Sequence, residues 1–429
     1  MKINKMNHTT LLQNVRLFDP KSDLHNQLVE ILIKDGVIEA IGEGLSMAAS
    51  ELVDGDGAYV SLGWFDAFGY CPDPGEPWKE SLISYSEAAQ QGGFTHVAAL
   101  CGSSPKSDNE SVIAQVKQVG SLQRAALMPW GLASVQGEGK EMTEVYEMHE
   151  SGAVAFTDGI HSSSSLGLRT KLMQYCASLG LRYAHFPFQK TLAPDGKMHE
   201  GLANASLGFK GIPAVSEVVE LMSDIALAKH LNVSLTVLGV SAAESVEIIR
   251  KAKLEGADIV AAVPVMNLLF TDESLSDFDE NLKVLPPLRS EADRKALLLG
   301  LLDGTLTAVV SNHHPEDIES KKVEFDYAAW GAATLGMTFG MMCKAFEHER
   351  PENWVPLLYS GSRVFMGMDV SSLSVGMPAD LTLFQLEGEQ EVNGQKWASR
   401  AYNVPRIEGV LKGKVKGTIR KGCYMENHG

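Results

Sequence analysis

From about residue 94 to residue 312 the chain repeats one pattern, a short apolar run rich in β-branched residues, a turn, and a longer amphipathic stretch. The runs HVAAL (96–100), AVAF (153–156), RYAHF (182–186), SLTVLGV (234–240), DIVAAVPV (258–265) and LTAVVSN (306–312) read as strands. The stretches 110–119, 166–179, 214–230, 242–254 and 289–302 carry the helical period between them. Strands that alternate with helices build βαβ units, and the right-handed crossover of such units, repeated over this length, closes most often into a (β/α)8 barrel. In a barrel of this kind the side chains that do chemistry stand at the C-terminal ends of the strands, and candidates are sought there.

The two ends of the chain follow another rule. LLQNVRLFD, LVEILIKDG and VIEAIGEGL, followed by the turn Asp54-Gly55-Asp56-Gly57, read as hairpins of a small antiparallel sheet. ADLTLFQL (379–386) and VLKGKVKGTIRKGCYME (410–426) repeat that style at the C-terminus. A length of 429 residues suits one barrel with a small second domain. The 45% hydrophobic and 21% charged composition supplies a core and excludes disorder.

A net charge of −17 argues against a nucleic-acid or anionic-membrane partner, since both need Lys and Arg to displace counterions. The N-terminal MKINKMNHTT lacks the apolar core of a signal peptide, and no window approaches the ~20 apolar residues of a membrane span, so a cytoplasmic location is expected. Cys71, Cys101, Cys176, Cys343 and Cys423 are scattered without a CxxC pair, which points to reduced thiols and not to a disulfide framework or zinc cluster. Ser103-Ser104 and Ser162 to Ser165 offer hydroxyls without a G-x-S-x-G elbow, and the second group reads as a loop. No phosphate-binding glycine signature occurs.

The stretch Ser61–Glu80, SLGWFDAFGYCPDPGEPWKE, holds an apolar strand that runs into a Pro74-Gly75 turn and Lys79-Glu80. Together with LGFKGIPAVSE (207–217), ESVEIIRKAK (244–253), LKVLPPLRSEADR (282–294), DGTLTAVVSNHHP (303–315) and VGMPADLTLF (375–384), in that order, it resembles the class I dihydroorotases of the amidohydrolase superfamily. The resemblance runs through nearly the whole chain. It implies an α/β fold, a (β/α)8 TIM-type barrel at 59–368 with a small β-sandwich domain built from both chain ends, 1–58 and 369–429. It also implies zinc as cofactor, a homodimer, and a place in pyrimidine biosynthesis beside aspartate carbamoyltransferase.

The same resemblance locates the site, and there the residues depart from the pattern. An HxH clamp binds metal because residues i and i+2 of a strand share a face, yet its two positions here are Phe68 and Tyr70. The family's Gln-His becomes Leu238-Gly239, and a histidine pair becomes Met266-Asn267. The aspartate that ligates metal and shuttles the proton becomes Asn312, whose carboxamide cannot act as a general base. The carboxylate-binding arginine, asparagine and histidine become Pro72, Gly102 and Glu316, and a further asparagine becomes Leu285.

Two ligand positions remain. Asp158 matches the acidic residue that bridges two metals in the subfamily lacking a carboxylated lysine, and His185 matches the first histidine of the HAED or HCED segment. Both have a plain structural alternative, Asp158 as a turn or cap residue and His185 as a buried histidine bonded to backbone. The residues after His185 are Phe186-Pro187-Phe188, so its acidic support is expected to be lost.

Three functional readings follow. The first is a catalytically inactive member acting by assembly, with no catalytic or substrate-binding residues and the family's zinc lost. The second is an active cyclic-amide hydrolase with a reduced metal site of Asp158, His185 and His313, where the adjacent His314 would point to the other face. An exposed loop is the plainer reading of that histidine pair. The third is a barrel with a new apolar pocket lined by Phe68, Tyr70, Phe186 and Phe188, unless those rings merely plug the old site.

Overall fold

The barrel forms where the doubly apolar runs pair side by side. In this computed structural model residues 8–45, 49–161, 165–391 and 397–427 are described. The N-terminal sheet strands are β1 (Thr9–Leu17), β2 (Leu28–Lys34), β3 (Val37–Gly42), β4 (Glu51–Asp54) and β5 (Tyr59–Leu62). The first barrel strand is split into β6 (Trp64–Asp66) and β7 (Tyr70–Cys71), and β8 (Phe94–Cys101) and β9 (Ala126–Trp130) follow. Next come β10 (Ala184–His185), a small outlying parallel pair β11 (Met198–His199) and β12 (Gly211–Ile212), then β13 (Leu235–Val237), β14 (Ile259–Pro264) and β15 (Ala308–Val310). The chain ends with β16 (Leu381–Glu391), β17 (Val410–Arg420) and β18 (Cys423–Glu426).

All barrel pairings are parallel, with β6 and β7 on β8, β8 on β9, β10 on β13, β13 on β14 and β14 on β15. Segment 153–157 supplies the fourth position, through the bridges Gly131↔Phe156 and Phe156↔Tyr183. The sequence predicts a full strand there. Pro129 of β9 accepts from the Val154 amide at 3.0 Å but has no N–H to return, so the ladder is interrupted. The barrel closes between its first and last strands through Ser311 N–H to Asp66 Oδ1 at 2.8 Å, Asn312 N–H to the Phe68 carbonyl at 3.2 Å and Tyr70 N–H to the His313 carbonyl at 2.7 Å.

Helices fill the connections where the helical period was read, at Glu110–Ser121, Leu166–Ser178, Val215–Leu231, Ala243–Leu254 and Glu291–Leu302. Ser165 caps the second of these by accepting from Leu168 N–H, and Ser290 with Asp293 forms a capping box at the last. Ser162, Ser163 and Ser164, read above as part of a loop, lie outside the described residues. The same holds for residues 1–7 of the N-terminal stretch.

Both chain ends enter one eight-stranded sheet, order β18-β17-β16-β5-β1-β2-β3, with β4 also on β1, and it forms the small β-sandwich domain. Its centre is the antiparallel register Leu62↔Leu381 and Val60↔Leu383. The expected run of hairpins holds for β1-β2-β3 but fails at the Asp54–Gly57 turn. There β4 pairs with Thr10–Gln13 and β5 with Arg16–Leu17, both parallel to β1 on one edge. The turn is therefore an offset between two collinear segments, and Asp56 (φ 51°) and Gly57 (φ 72°) supply the left-handed backbone it needs. Cys71, Cys101, Cys176 and Cys343 are buried free thiols and Cys423 is exposed. Among the described residues no helix is long and apolar enough to cross a membrane.

Candidate functional site at the barrel mouth

Inside the barrel, small residues at five of the strand positions, Ala98, Ala155, Ala184, Ala262 and Ala308, leave room for the large rings of Phe65, Phe68 and Trp130. Phe68, in the break between β6 and β7, is 1% exposed and meets Tyr70 edge-on at 5.0 Å and Trp130 edge-on at 5.6 Å between ring centroids. Trp130 is itself fixed, its Nε1–H donating to the Ala67 carbonyl at 3.0 Å. These rings close the axis where a metal clamp would stand.

Tyr70 lies over the same opening. Its hydroxyl accepts from Ile160 N–H at 2.9 Å, its ring stacks on His314 at 4.4 Å, and burial holds the phenol above its ordinary range. Gly239 has φ +79°, and a Cβ there would fall 2.7 Å from Phe186 Cε2, so the ring occupies the space a side chain at 239 would need. Asn312, with φ 49°, donates from Nδ2 to the Leu285 carbonyl at 3.0 Å. An ionised carboxylate at 312 has no proton to make that bond. Asn267 likewise donates to the Pro287 carbonyl at 2.9 Å, and Met266 is buried in the core.

His185 departs from expectation. It is 4% exposed, and its Nδ1 lies 2.6 Å from Asp224 Oδ2, a carboxylate supplied by the helix Val215–Leu231 and not by the residues that follow the histidine. Arg169 joins Asp224 at 2.6 Å and Glu220 at 2.6 Å, and Gln189 donates to Glu220 at 2.6 Å. The expectations of lost acidic support and of a bond to backbone are thus corrected. One signal was available, because Glu217, Glu220 and Asp224 stand at i, i+3 and i+7, a single helix face, and all three are buried.

Asp158 is 3% exposed. Its Oδ1 accepts from Ser134 N–H at 2.7 Å, and its Oδ2 is buried with no hydrogen-bond partner among the described residues. Burial raises its carboxyl above the ordinary range, opposed by the bonds from Ser134 and Ala133 and by the nearby His185.

His313 and His314 face opposite ways. The first is 1% exposed, so it does not sit on an exposed loop. Its Nδ1 accepts from Thr334 N–H at 2.9 Å, leaving Nε2 to carry the proton toward Glu80 Oε2 at 3.4 Å. Glu80 is held further by Ser84 and Ser399. His313 is thus bound into a separate buried network, away from the reduced site suggested for it.

Zinc, which the fold family implies, would need donors that converge. Positions 68, 70 and 239 offer two rings and no side chain, position 312 offers an amide engaged with a carbonyl, and only Asp158 and His185 remain as ligand types. Among the described residues no group of three or more His, Cys, Asp or Glu side chains is placed to hold a metal ion. The residues present do not fit the family's metal centre.

Beside the plug lies a cavity of about 260 Å³. Pro72, Gly102 and Glu316 line it, with Lys79 2.9 Å from Glu316 and 3.1 Å from Glu76. Of the four rings expected to line an apolar pocket only Tyr70 reaches this cavity, because Phe68 is packed in the barrel axis and Phe186 and Phe188 belong to another cluster.

The comparisons agree with this architecture. A family model described as "Dihydro-orotase-like" matches residues 73–245. A dihydroorotase of Pelotomaculum thermopropionicum is 33% identical over 397 residues, covering 92% of this chain and 93% of that protein. Another from Brevibacillus brevis is 34% identical over 400 residues, covering 92% and 94%. Among solved structures, the L-hydantoinase (dihydropyrimidinase) of Arthrobacter aurescens superposes with a TM-score of 0.85 at 22% identity, covering 99% of this chain and 97% of that one. A D-hydantoinase gives 0.82 at 18% identity, with 98% and 95% covered.

Proposed function

The chain belongs to the dihydroorotase family of amidohydrolases, and on that premise we propose that it is a non-catalytic member that works by assembly, with aspartate carbamoyltransferase as the expected partner. The observation that carries this reading is the aromatic plug, Phe68 against Tyr70 and Trp130, standing at the positions of the metal clamp.

Three separate contributions to hydrolysis are missing at once. Without a metal clamp, water keeps a pKa of ~15.7 instead of ~7. Without a carboxylate at Asn312, positioned proton transfer worth roughly 100-fold to 10,000-fold is forfeited. With Pro72, Gly102 and Glu316 at the positions of its anchors, the arginine, asparagine and histidine that would position a substrate carboxylate are replaced, one of them by an acid. A role that needs the fold and not the site is consistent with all three, and so are a homodimer and a cytoplasmic location.

One observation favours the second reading, a reduced hydrolytic site. His185 keeps a carboxylate on Nδ1, the arrangement that orients a metal-binding imidazole, and nearby Asp158 Oδ2 has no hydrogen-bond partner among the described residues. Two donors still fall short of the three protein ligands usual for catalytic zinc.

The test is co-elution of the full chain with the aspartate carbamoyltransferase of the same cell, followed by light scattering of the complex. A defined complex, and a dimer for the chain alone, are expected. Monomers that never associate at micromolar concentration would overturn the assembly reading.

A further inference from the structure

A helix on the outside of a barrel turns apolar residues inward and charges outward, and the helix Val215–Leu231 does not. Its three acids are buried and committed inside, Glu217 to the Ser241 and Ala242 amides at 3.0 Å each, Glu220 and Asp224 to Arg169 at 2.6 Å each. Outward it shows Val215 (47% exposed), Val219 (37%), Met222 (56%) and Ala226. These stand at i, i+4, i+7 and i+11, a single stripe along the helix. Val218, Leu221, Ile225 and Ala228 fill the inner face, so the helix is apolar on both sides, as a helix covered on both sides is. Its neighbours in the ring keep the usual rule: Ala243–Leu254 exposes Glu244, Glu247 and Lys251, and Glu291–Leu302 exposes Glu291 and Lys295.

The acid-free surface extends beyond this helix. Arg169 ties it to the helix Leu166–Ser178, whose sequence LGLRTKLMQYCAS contains no Asp or Glu and which exposes Leu166, Lys171 and Gln174. Neither helix exposes an acid, in a chain with 54 acids and a net charge of −17. Lys229, at the C-terminal end of the stripe, is held by Glu255 at 2.7 Å. The 17-residue helix is ~25 Å long, and with its neighbour ~10 Å away the face is ~20 Å wide. That is roughly 500 Å² in projection, of the order of the ~800 Å² of accessible surface that each partner buries in a stable dimer.

We propose that this face, the stripe Val215, Val219, Met222 and Ala226 with the adjoining helix Leu166–Ser178, is the contact between two copies of this chain. Two equally acidic molecules repel wherever their acids are set together, so they meet at least cost across a surface that shows none. A charge-poor apolar centre that includes a methionine is also the composition of an interface core. A two-fold axis beside Val219 and Met222 sets each stripe residue against the stripe of the other copy and lays the two helices with their dipoles opposed. The proposal rests on the assembly reading for the dimer itself and adds where the dimer forms.

The test is sedimentation equilibrium of the full-length protein at micromolar concentration. Val219→Asp and Met222→Asp place an acid in the apolar centre of both copies, so each should raise the dimer dissociation constant roughly tenfold or more, with circular dichroism unchanged because both side chains are exposed. Lys171→Glu on the adjoining helix should weaken the dimer too, and it carries the comparison if a stripe variant does not fold. Leu122→Asp alters an exposed leucine at the end of the helix Glu110–Ser121, off this face, and should leave the dimer intact. A dimer that survives all three face variants, or that Leu122→Asp weakens equally, would overturn the proposal and leave the assembly reading standing. A wild-type chain that is monomeric alone, and whose association with a different protein the face variants abolish, would also overturn it, by giving the face another occupant. A wild-type chain that associates with nothing would sink both.

Discussion

Replacing Phe68 by alanine tests whether the mouth is filled or merely altered. The ring is 1% exposed and lies edge-on against Tyr70 and Trp130, so its removal leaves a cavity among groups held by other bonds, such as Trp130 Nε1–H to the Ala67 carbonyl. Core Phe→Ala changes cost about 3–5 kcal/mol, of which each edge-on ring pair contributes roughly 0.5–1.5 kcal/mol. At about 2.1 cal/mol/K per residue, unfolding of a chain this size as one unit carries about 0.9 kcal/mol/K of entropy, so Tm should fall by roughly 4 °C. Urea titration followed by far-ultraviolet circular dichroism, with calorimetry beside it, reads both numbers. A cost below about 1 kcal/mol would mean that the ring is not packed and that the mouth is open at position 68.

Three further outcomes are expected. Asn312→Asp loses the bond to the Leu285 carbonyl and sets a carboxylate against it, so urea denaturation should show a loss of about 1–3 kcal/mol with no hydrolytic activity gained. Gly239→His meets the Phe186 ring and a φ of +79°, so it should lower Tm in a scan, and Phe186→Ala in the same chain should recover part of the loss, the part due to the clash. Asp66 is raised by burial from 3.8 to about 7, so the folded state holds a proton that the unfolded state has released. Its contribution to stability is fully present below the unfolded value and is lost as pH rises through about 7, about 2–3 kcal/mol between pH 5 and pH 8. Asp66→Asn should remove that slope from urea midpoints measured across the range, and an unchanged slope would refute the assignment.

The barrel was legible because strands buried on both faces write continuous apolar runs, as at 258–265, and the helices between them keep their period. Segment 153–156 was read as a full strand because the missing donor lies in its neighbour, at Pro129. The Asp54–Gly57 turn was read as a hairpin because local chemistry fixes a turn but not which edge the chain rejoins.

At the site, Phe68, Tyr70, Gly239 and Asn312 became informative only through resemblance, since nothing in a phenylalanine announces that it replaces a ligand. Asp224 was missed because it lies 39 residues beyond His185 and on a helix, although the acidic stripe it shares with Glu217 and Glu220 was in plain view. The cavity was out of reach of any local reading. Its wall draws on the segments around residues 72, 102, 136, 158 and 316, which only the closed barrel brings together.

The most direct measurement is the turnover of dihydroorotate by the full chain purified without chelator, assayed in both directions with added zinc or manganese. No ring opening or closure above the uncatalysed rate is expected, and less than one zinc per chain after dialysis. Turnover that His185→Ala abolishes, with stoichiometric zinc in the wild-type chain, would contradict it.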